Sequence, residues 1–164
     1  MSAKAAVEVH CLFCRIVDGT FAASKVFEDD SILAIMDVRP VSRGHVLVLP
    51  KEHYVALSDL PLTLFIQLAS LAHTLAANLS TAFPDAEGLN ILMSEGPAAS
   101  QSVFHSHLHL VPRTTDDSMV LSSDDPVAER DELDAAAARW RQYLDVGGQP
   151  EHDRAADPSA GGQA

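Results

Sequence analysis

Basic residues are scarce in this chain: 11 Lys and Arg stand against 23 Asp and Glu in 164 residues, a formal net charge of −12. With no basic stripe to displace counterions from a phosphate backbone, nucleic acid is excluded as a partner. A mononucleotide held by backbone N–H groups and neutral histidines needs no such stripe and stays open. The acidic excess is also uneven, with a net −5 over residues 1–112 and −7 over 113–164. No apolar run approaches the roughly 20 residues of a membrane span. The opening MSAKAAVEVHCLFC has no apolar secretion-signal core. The expectation is a cytoplasmic protein with no membrane partner. Cysteine is nearly absent: Cys11 and Cys14 are the only two, spaced Cys-Leu-Phe-Cys. In a reducing compartment that pair reads as a metal half-site or a redox pair before a structural disulfide. Two thiolates do not complete a tetrahedral zinc site, so further ligands, histidine first, have to come from elsewhere. Internal repeats are absent.

What is present is ordinary globular composition, 47% hydrophobic and 21% charged, enough for one domain with a core. Residues 12–18 have a short helical pattern, with Leu12, Phe13, Ile16 and Val17 apolar and Gly19 behind them. Strands are expected over 25–27, 32–37 and 45–50, separated by Glu28-Asp29-Asp30 and by the Arg39-Pro40 and Arg43-Gly44 breaks. A long helix is expected over 61–79, where Leu64, Leu68, Leu71 and Leu75 recur at helical spacing. Two more strands follow over 89–93 and 103–111. Without regular β–α–β alternation, this order predicts an α+β fold on a mainly antiparallel sheet. Past Pro112 the chain turns polar and acidic. A second helix is expected over 126–144, with Leu133, Ala137, Trp140 and Leu144 on one face. The domain plan is a flexible N-terminus over 1–10, a main domain over 11–113, an acidic connection with its helix over 114–145, and a disordered tail over 146–164, which has too little apolar surface to offset ordering entropy.

The informative segment is QSVFHSHLHLV at 101–111. On a strand, side chains alternate, so His105, His107 and His109 share one face while Leu108 and Leu110 enter the core. Three imidazoles on an exposed face have no packing rationale. The blander readings are a metal-binding ladder or a solvated histidine face.

This segment resembles the signature of the histidine triad (HIT) family of nucleotide hydrolases and transferases. The resemblance runs upstream through CLFCRIVDGTFAASKVFEDDSILAIMDVRPVSRGHVLVLPKEH at 11–53 and through GLNILMSEG at 88–96. It implies a HIT-like five-stranded sheet with a long helix. It implies that His107 attacks the α-phosphorus of a purine nucleotide, giving a nucleotidyl-histidine that water cleaves. The His105 carbonyl would fix the tautomer of His107, and His109 would sit at the phosphates. Gln101, Ser102 and Ser94 match phosphate-side positions, and Asp37 matches the acid that binds the ribose hydroxyls. Leu12, Phe13, Ile16, Ile35, Met36 and Val38 match the apolar base pocket, with ordinary core as their plain alternative. His45 falls beside the phosphates, or simply caps its strand.

The resemblance also implies a structural zinc on Cys11, Cys14, His53 and His105, a closed Cys₂His₂ set; reduced thiols beside two unmetallated histidines are the alternative. His10, His73 and His152 receive no role. The implied assembly is a homodimer. The expected activity is adenosine phosphoramidate hydrolysis. Dinucleoside polyphosphate hydrolysis, or nucleotide binding with incidental catalysis, are the other readings. Three serines depart from the family pattern: Ser106 for an apolar residue, Ser94 for asparagine, and Ser100 for a glycine that a positive φ would demand.

Overall fold

The computed structural model describes residues 10–117 and 127–144. The proposed flexible N-terminus, apart from its last residue, and the proposed disordered tail lie outside them, as do residues 118–126 of the acidic connection. The elements in chain order are α1 (Leu12–Val17), β1 (Lys25–Glu28), β2 (Ile32–Met36), β3 (Val46–Pro50), α2 (Leu62–Ala77), a short α3 (Leu79–Ala82), β4 (Gly88–Met93), β5 (Leu108–Arg113) and α4 (Arg130–Leu144). Single 3-10 turns at Leu57–Asp59 and Pro97–Ala99 sit in the connections.

All five strands join one antiparallel sheet in the order β1-β2-β3-β5-β4. The fold is α+β, as the absence of β–α–β alternation predicts. Every residue of β2 and β3 is buried, because both sheet faces are covered at the centre. Alternation sorts them: Ala34, Met36, Val46 and Val48 join the larger core under α2 and α4. Leu33, Ile35, Leu47 and Leu49 join a smaller core under α1, with Phe13 and Ile16. The site described below forms on the α1 side.

Three expected boundaries shift. The 61–79 helix stops at Ala77, where Asn78 breaks it before α3. The 126–144 helix starts at Arg130, because the Ala128 N–H is drawn out to the Val38 carbonyl at 2.8 Å. The largest correction is β5, which begins at Leu108 and not at Val103. The backbone before it bonds elsewhere: the Ser106 N–H donates to the Tyr54 carbonyl at 2.6 Å and the His105 N–H to Val103 at 2.8 Å. His105 and His107 therefore stand on a loop, and only His109 on the strand. Their surroundings also differ from the expected open face, since His105 is fully buried and His107 is 3% exposed.

Helix α4 is locked onto the sheet by Trp140, fully buried, whose indole N–H donates to the Gly44 carbonyl at 3.0 Å. Gly44 has φ +92°, and a Cβ there would stand 2.9 Å from the Phe83 ring, so only glycine fits.

Candidate active site

Two clusters meet around the His105–His109 segment. In the first, Cys11 caps α1 and Cys14 lies one turn along it. The loop after β3 brings His53, and the loop before β5 brings His105. The four ligand atoms lie within 4.8 Å of one another. Cys11 Sγ is 3.5 Å from His105 Nδ1, and Cys14 Sγ is 3.3 Å from His53 Nδ1 and 3.7 Å from His105 Nδ1. A tetrahedron with Zn–S near 2.3 Å and Zn–N near 2.05 Å has S···N edges of about 3.6 Å. Both cysteines are free thiols. The His105 Nε2–H donates to the Pro50 carbonyl at 2.8 Å, which leaves Nδ1 as the lone-pair nitrogen and holds the ring as an outer-shell acceptor holds a ligand histidine. The donor set and its geometry fit a closed zinc site. His53 Nε2 is buried with no hydrogen-bond partner among the described residues, as is Ser106 Oγ. Ser106, which stands where the family pattern has an apolar residue, thus carries a buried hydroxyl with no partner among the described residues.

The second cluster is His107, His109, His45 and Asp37. His107 Nδ1 lies 2.6 Å from the His105 carbonyl oxygen, which requires the proton on Nδ1 and leaves Nε2 with its lone pair. The edge of the Phe13 ring packs against His107 at a centroid distance of 5.0 Å. Along the other side, the Val41 N–H donates to His45 Nδ1 at 3.2 Å, and His45 Nε2 meets His109 Nδ1 at 3.0 Å. The proton of that second bond must come from His45, since its Nδ1 is already an acceptor. His109 consequently accepts at Nδ1 and carries its own proton on Nε2. These tautomers are assigned from the hydrogen-bond network.

Burial keeps the cluster neutral. His45 is held down to about 3 by desolvation, then by His109 and His107. Desolvation, then His107, holds His109 to about 4. Desolvation lowers His107 as well, against the opposing bond to the His105 carbonyl. The 3.6 Å approach of Asp37 to His45 is accordingly a contact with a neutral ring and not an ion pair. Asp37, His45 and His109 also gather within metal-ligand distance of each other, but both His45 nitrogens are already engaged, so no metal is assigned there. His107 belongs to neither ligand cluster, which removes the metal-ladder reading.

A cavity of about 1000 Å³ opens over this cluster. Its wall includes Leu12, Phe13, Ile16, Ile35, Met36, Asp37 and Val38, then His45, His107, His109, Gln101 and Ser102. Ser94 is the exception among the expected residues: it sits half-buried just past β4 and is not on the wall. Gln101 is only partly available. Its carboxamide accepts from the Gly96 N–H at 2.8 Å and donates to the Val55 carbonyl at 3.0 Å, bracing the loop and leaving one N–H. Ser100, which follows the Pro97–Ala99 turn, has φ 64°, the left-handed conformation that glycine adopts without cost. The wall also holds residues the sequence did not announce: Phe21, Arg39, Phe104 and Arg130. Arg39 lies two residues beyond Asp37, a signal that was available. Arg130 comes from α4 and had none.

His45, His107 and His109 thus stand together, held neutral, on the wall of an open cavity beside the antiparallel sheet. A family model described as HIT domain matches residues 19–116. The chain belongs to the HIT domain family, whose members are generally nucleotide hydrolases or transferases. It is 39% identical over 109 residues to a HIT-like protein of Mycobacterium tuberculosis, covering 66% of this chain and 75% of that one. It is 37% identical over 103 residues to an adenylylsulfatase of Arabidopsis thaliana, covering 63% of this chain and 52% of the relative. Among solved structures, a zinc-bound histidine triad protein from Mycobacterium smegmatis superposes with TM-score 0.71 at 36% identity, covering 84% of this chain and 94% of that one.

Proposed function

We propose that the protein hydrolyses purine nucleoside phosphoramidates, with adenosine 5′-phosphoramidate the substrate the family resemblance implies, through a covalent nucleotidyl-His107. The observation that carries this reading is the 2.6 Å bond from His107 Nδ1 to the His105 carbonyl. It orients the ring, fixes the proton on Nδ1 and leaves Nε2 free as the nucleophile. Nε2 attacks the α-phosphorus, the bond from phosphorus to the leaving nitrogen breaks, and that nitrogen takes a proton from solvent and departs as the amine. Water then adds to phosphorus, the phosphorus–nitrogen bond to His107 breaks with its electron pair returning to Nε2, and the proton lost by water goes back to solvent as the nucleoside monophosphate leaves.

His109 presents an Nε2–H to the phosphate oxygens, a donor already in place before charge develops on them. The Val41–His45–His109 chain is what keeps that proton on the correct nitrogen. In this reading Asp37, on the cavity wall, accepts from the ribose hydroxyls, and the apolar wall from α1 and β2 receives the base.

Zinc, when held by Cys11, Cys14, His53 and His105, supplies a four-coordinate crosslink with no open position. It would fix the loop whose carbonyl orients His107. The zinc-bound relative supports this assignment. A homodimer is part of the reading, supported by Leu62 and Ile66, which stand one turn apart on α2 at 71% and 57% exposure. A reducing cytoplasm suits the two free cysteines.

The adenylylsulfatase relative acts, by its name, on an adenylyl group with a sulfate leaving group. The test is therefore a competition among adenosine phosphoramidate, adenylylsulfate and a diadenosine polyphosphate. The phosphoramidate is expected to be consumed first, with the highest kcat/KM. Preferential turnover of either other substrate refutes the proposed leaving group while keeping the nucleophile.

A further inference from the structure

The wall of the cavity carries two guanidinium groups, that of Arg39 beside Asp37 and that of Arg130, which α4 delivers. Arg130 opens that helix and lines the cavity. Its Nη1 donates to Ser24 Oγ at 3.0 Å and its Nη2 to the Ala22 carbonyl at 3.4 Å. Ser24 is 3% exposed and donates in turn to Asp134, one turn further along α4, at 2.5 Å. The guanidinium is thereby aimed by the docking of α4 on β1. Among the described residues no carboxylate pairs with it.

A guanidinium has five N–H donors and no acceptor. Two are occupied by these neutral oxygens, so three remain, and the cavity wall that Arg130 shares includes Ala22, Ala23, Phe13, Ile16 and Phe21. With the α-phosphorus at His107 and the ribose at Asp37, this apolar part of the wall is what remains for a base. An apolar wall grips the faces of any purine and does not distinguish one from another. The donors of Arg130 do distinguish them. The N7 and O6 edge of guanine or hypoxanthine offers two acceptors to a bidentate guanidinium, whereas adenine sets an amino donor against it in place of O6.

We propose that Arg130 is a specificity-determining residue that reads the base edge, giving this site a preference for 6-oxopurine nucleotides over adenine nucleotides. This rests on the reading of the cavity as a nucleotide site with its phosphate at His107, and it revises the base that the family resemblance implies.

The test measures binding of GMP, IMP, AMP and 7-deaza-GMP to the full chain by calorimetry, for the native protein and for Arg130→Met, which keeps the aliphatic stem. GMP and IMP are expected to bind about tenfold or more tightly than AMP, the low end of a bidentate base contact. Replacing N7 by carbon in 7-deaza-GMP should remove most of that advantage, and Arg130→Met should abolish both differences. Equal affinity for GMP and AMP in the native protein overturns the proposal, as does an equal loss for all four ligands in Arg130→Met, which marks a phosphate or ribose contact. The 7-deaza comparison needs only native protein, so it decides the matter even where the variant fails to fold. A base preference without any turnover supports the proposal and removes the hydrolase reading. Failure to bind any of the four overturns the nucleotide-site reading and the proposal together.

Discussion

Acidification should destabilise this protein through His45 at a pH above the range where carboxylates are protonated. The ring is 1% exposed, its Nδ1 is committed to the Val41 N–H, and burial, then His109 and His107, hold its pKa at about 3. The unfolded chain takes a proton there below about pH 6.5, while the folded chain refuses it down to about pH 3. The stability tied to this residue is therefore complete above about pH 6.5 and is lost as pH falls through that window. Between about pH 7 and 5 the loss is about 2 kcal/mol, with a slope approaching ~1.4 kcal/mol per pH unit for one proton. That is a large share of the roughly 5–15 kcal/mol that holds a domain together. The assay is urea denaturation at half-unit steps across the range, for the native protein and for His45→Gln. The variant should be less stable near pH 7, because a hydrogen-bond chain is broken, yet it should lose about one proton's worth of slope near pH 5. Identical slopes in the two proteins would show that His45 is not a buried neutral base and refute the tautomer chain built on it.

Three further outcomes follow from particular contacts. Ser100→Gly relieves the left-handed φ of 64° and should stabilise the fold by about 0.5–1 kcal/mol, read as a raised urea midpoint; a lowered midpoint would contradict it. Trp140→Phe leaves the Gly44 carbonyl without its buried donor and should cost about 1–3 kcal/mol, again by denaturation. Metal analysis should find about one zinc per chain, with Cys14→Ser losing the metal and a chelator lowering the Tm of the native protein. A metal-free preparation whose Tm ignores both zinc and chelator would remove the structural-zinc assignment.

The sequence exposes most of the fold and part of the site, and the division has a physical cause. Strands β2 and β3 announce themselves because both of their faces are buried, so ILAIM and VLVLP are unbroken apolar runs. The histidine alternation in VFHSHLHLV was equally visible, but it records side-chain direction and not backbone pairing. An extended loop satisfies it as well as a strand does, which is why β5 starts at Leu108. The start of α4 is hidden for a similar reason, since the bond from Ala128 to Val38 is a tertiary fact with no local signature. Asp37 and Gln101 were legible as residue types in a motif. That Gln101 spends most of its amide on Gly96 and Val55 was not. Arg130 was invisible because only the docking of α4, through Ser24 and Asp134, brings it to the cavity. The same holds for the His45–His109 contact at 3.0 Å, which needs β3 paired with β5.

The most direct test of the central claim is to mix the protein with a purine nucleoside phosphoramidate, quench within the first turnover, and weigh the intact chain. The native protein should gain the mass of one nucleoside monophosphate, mapped by peptide analysis to His107 and lost in His107→Ala. Turnover without an adduct, or an adduct that persists in His107→Ala, would contradict the nucleophile assignment.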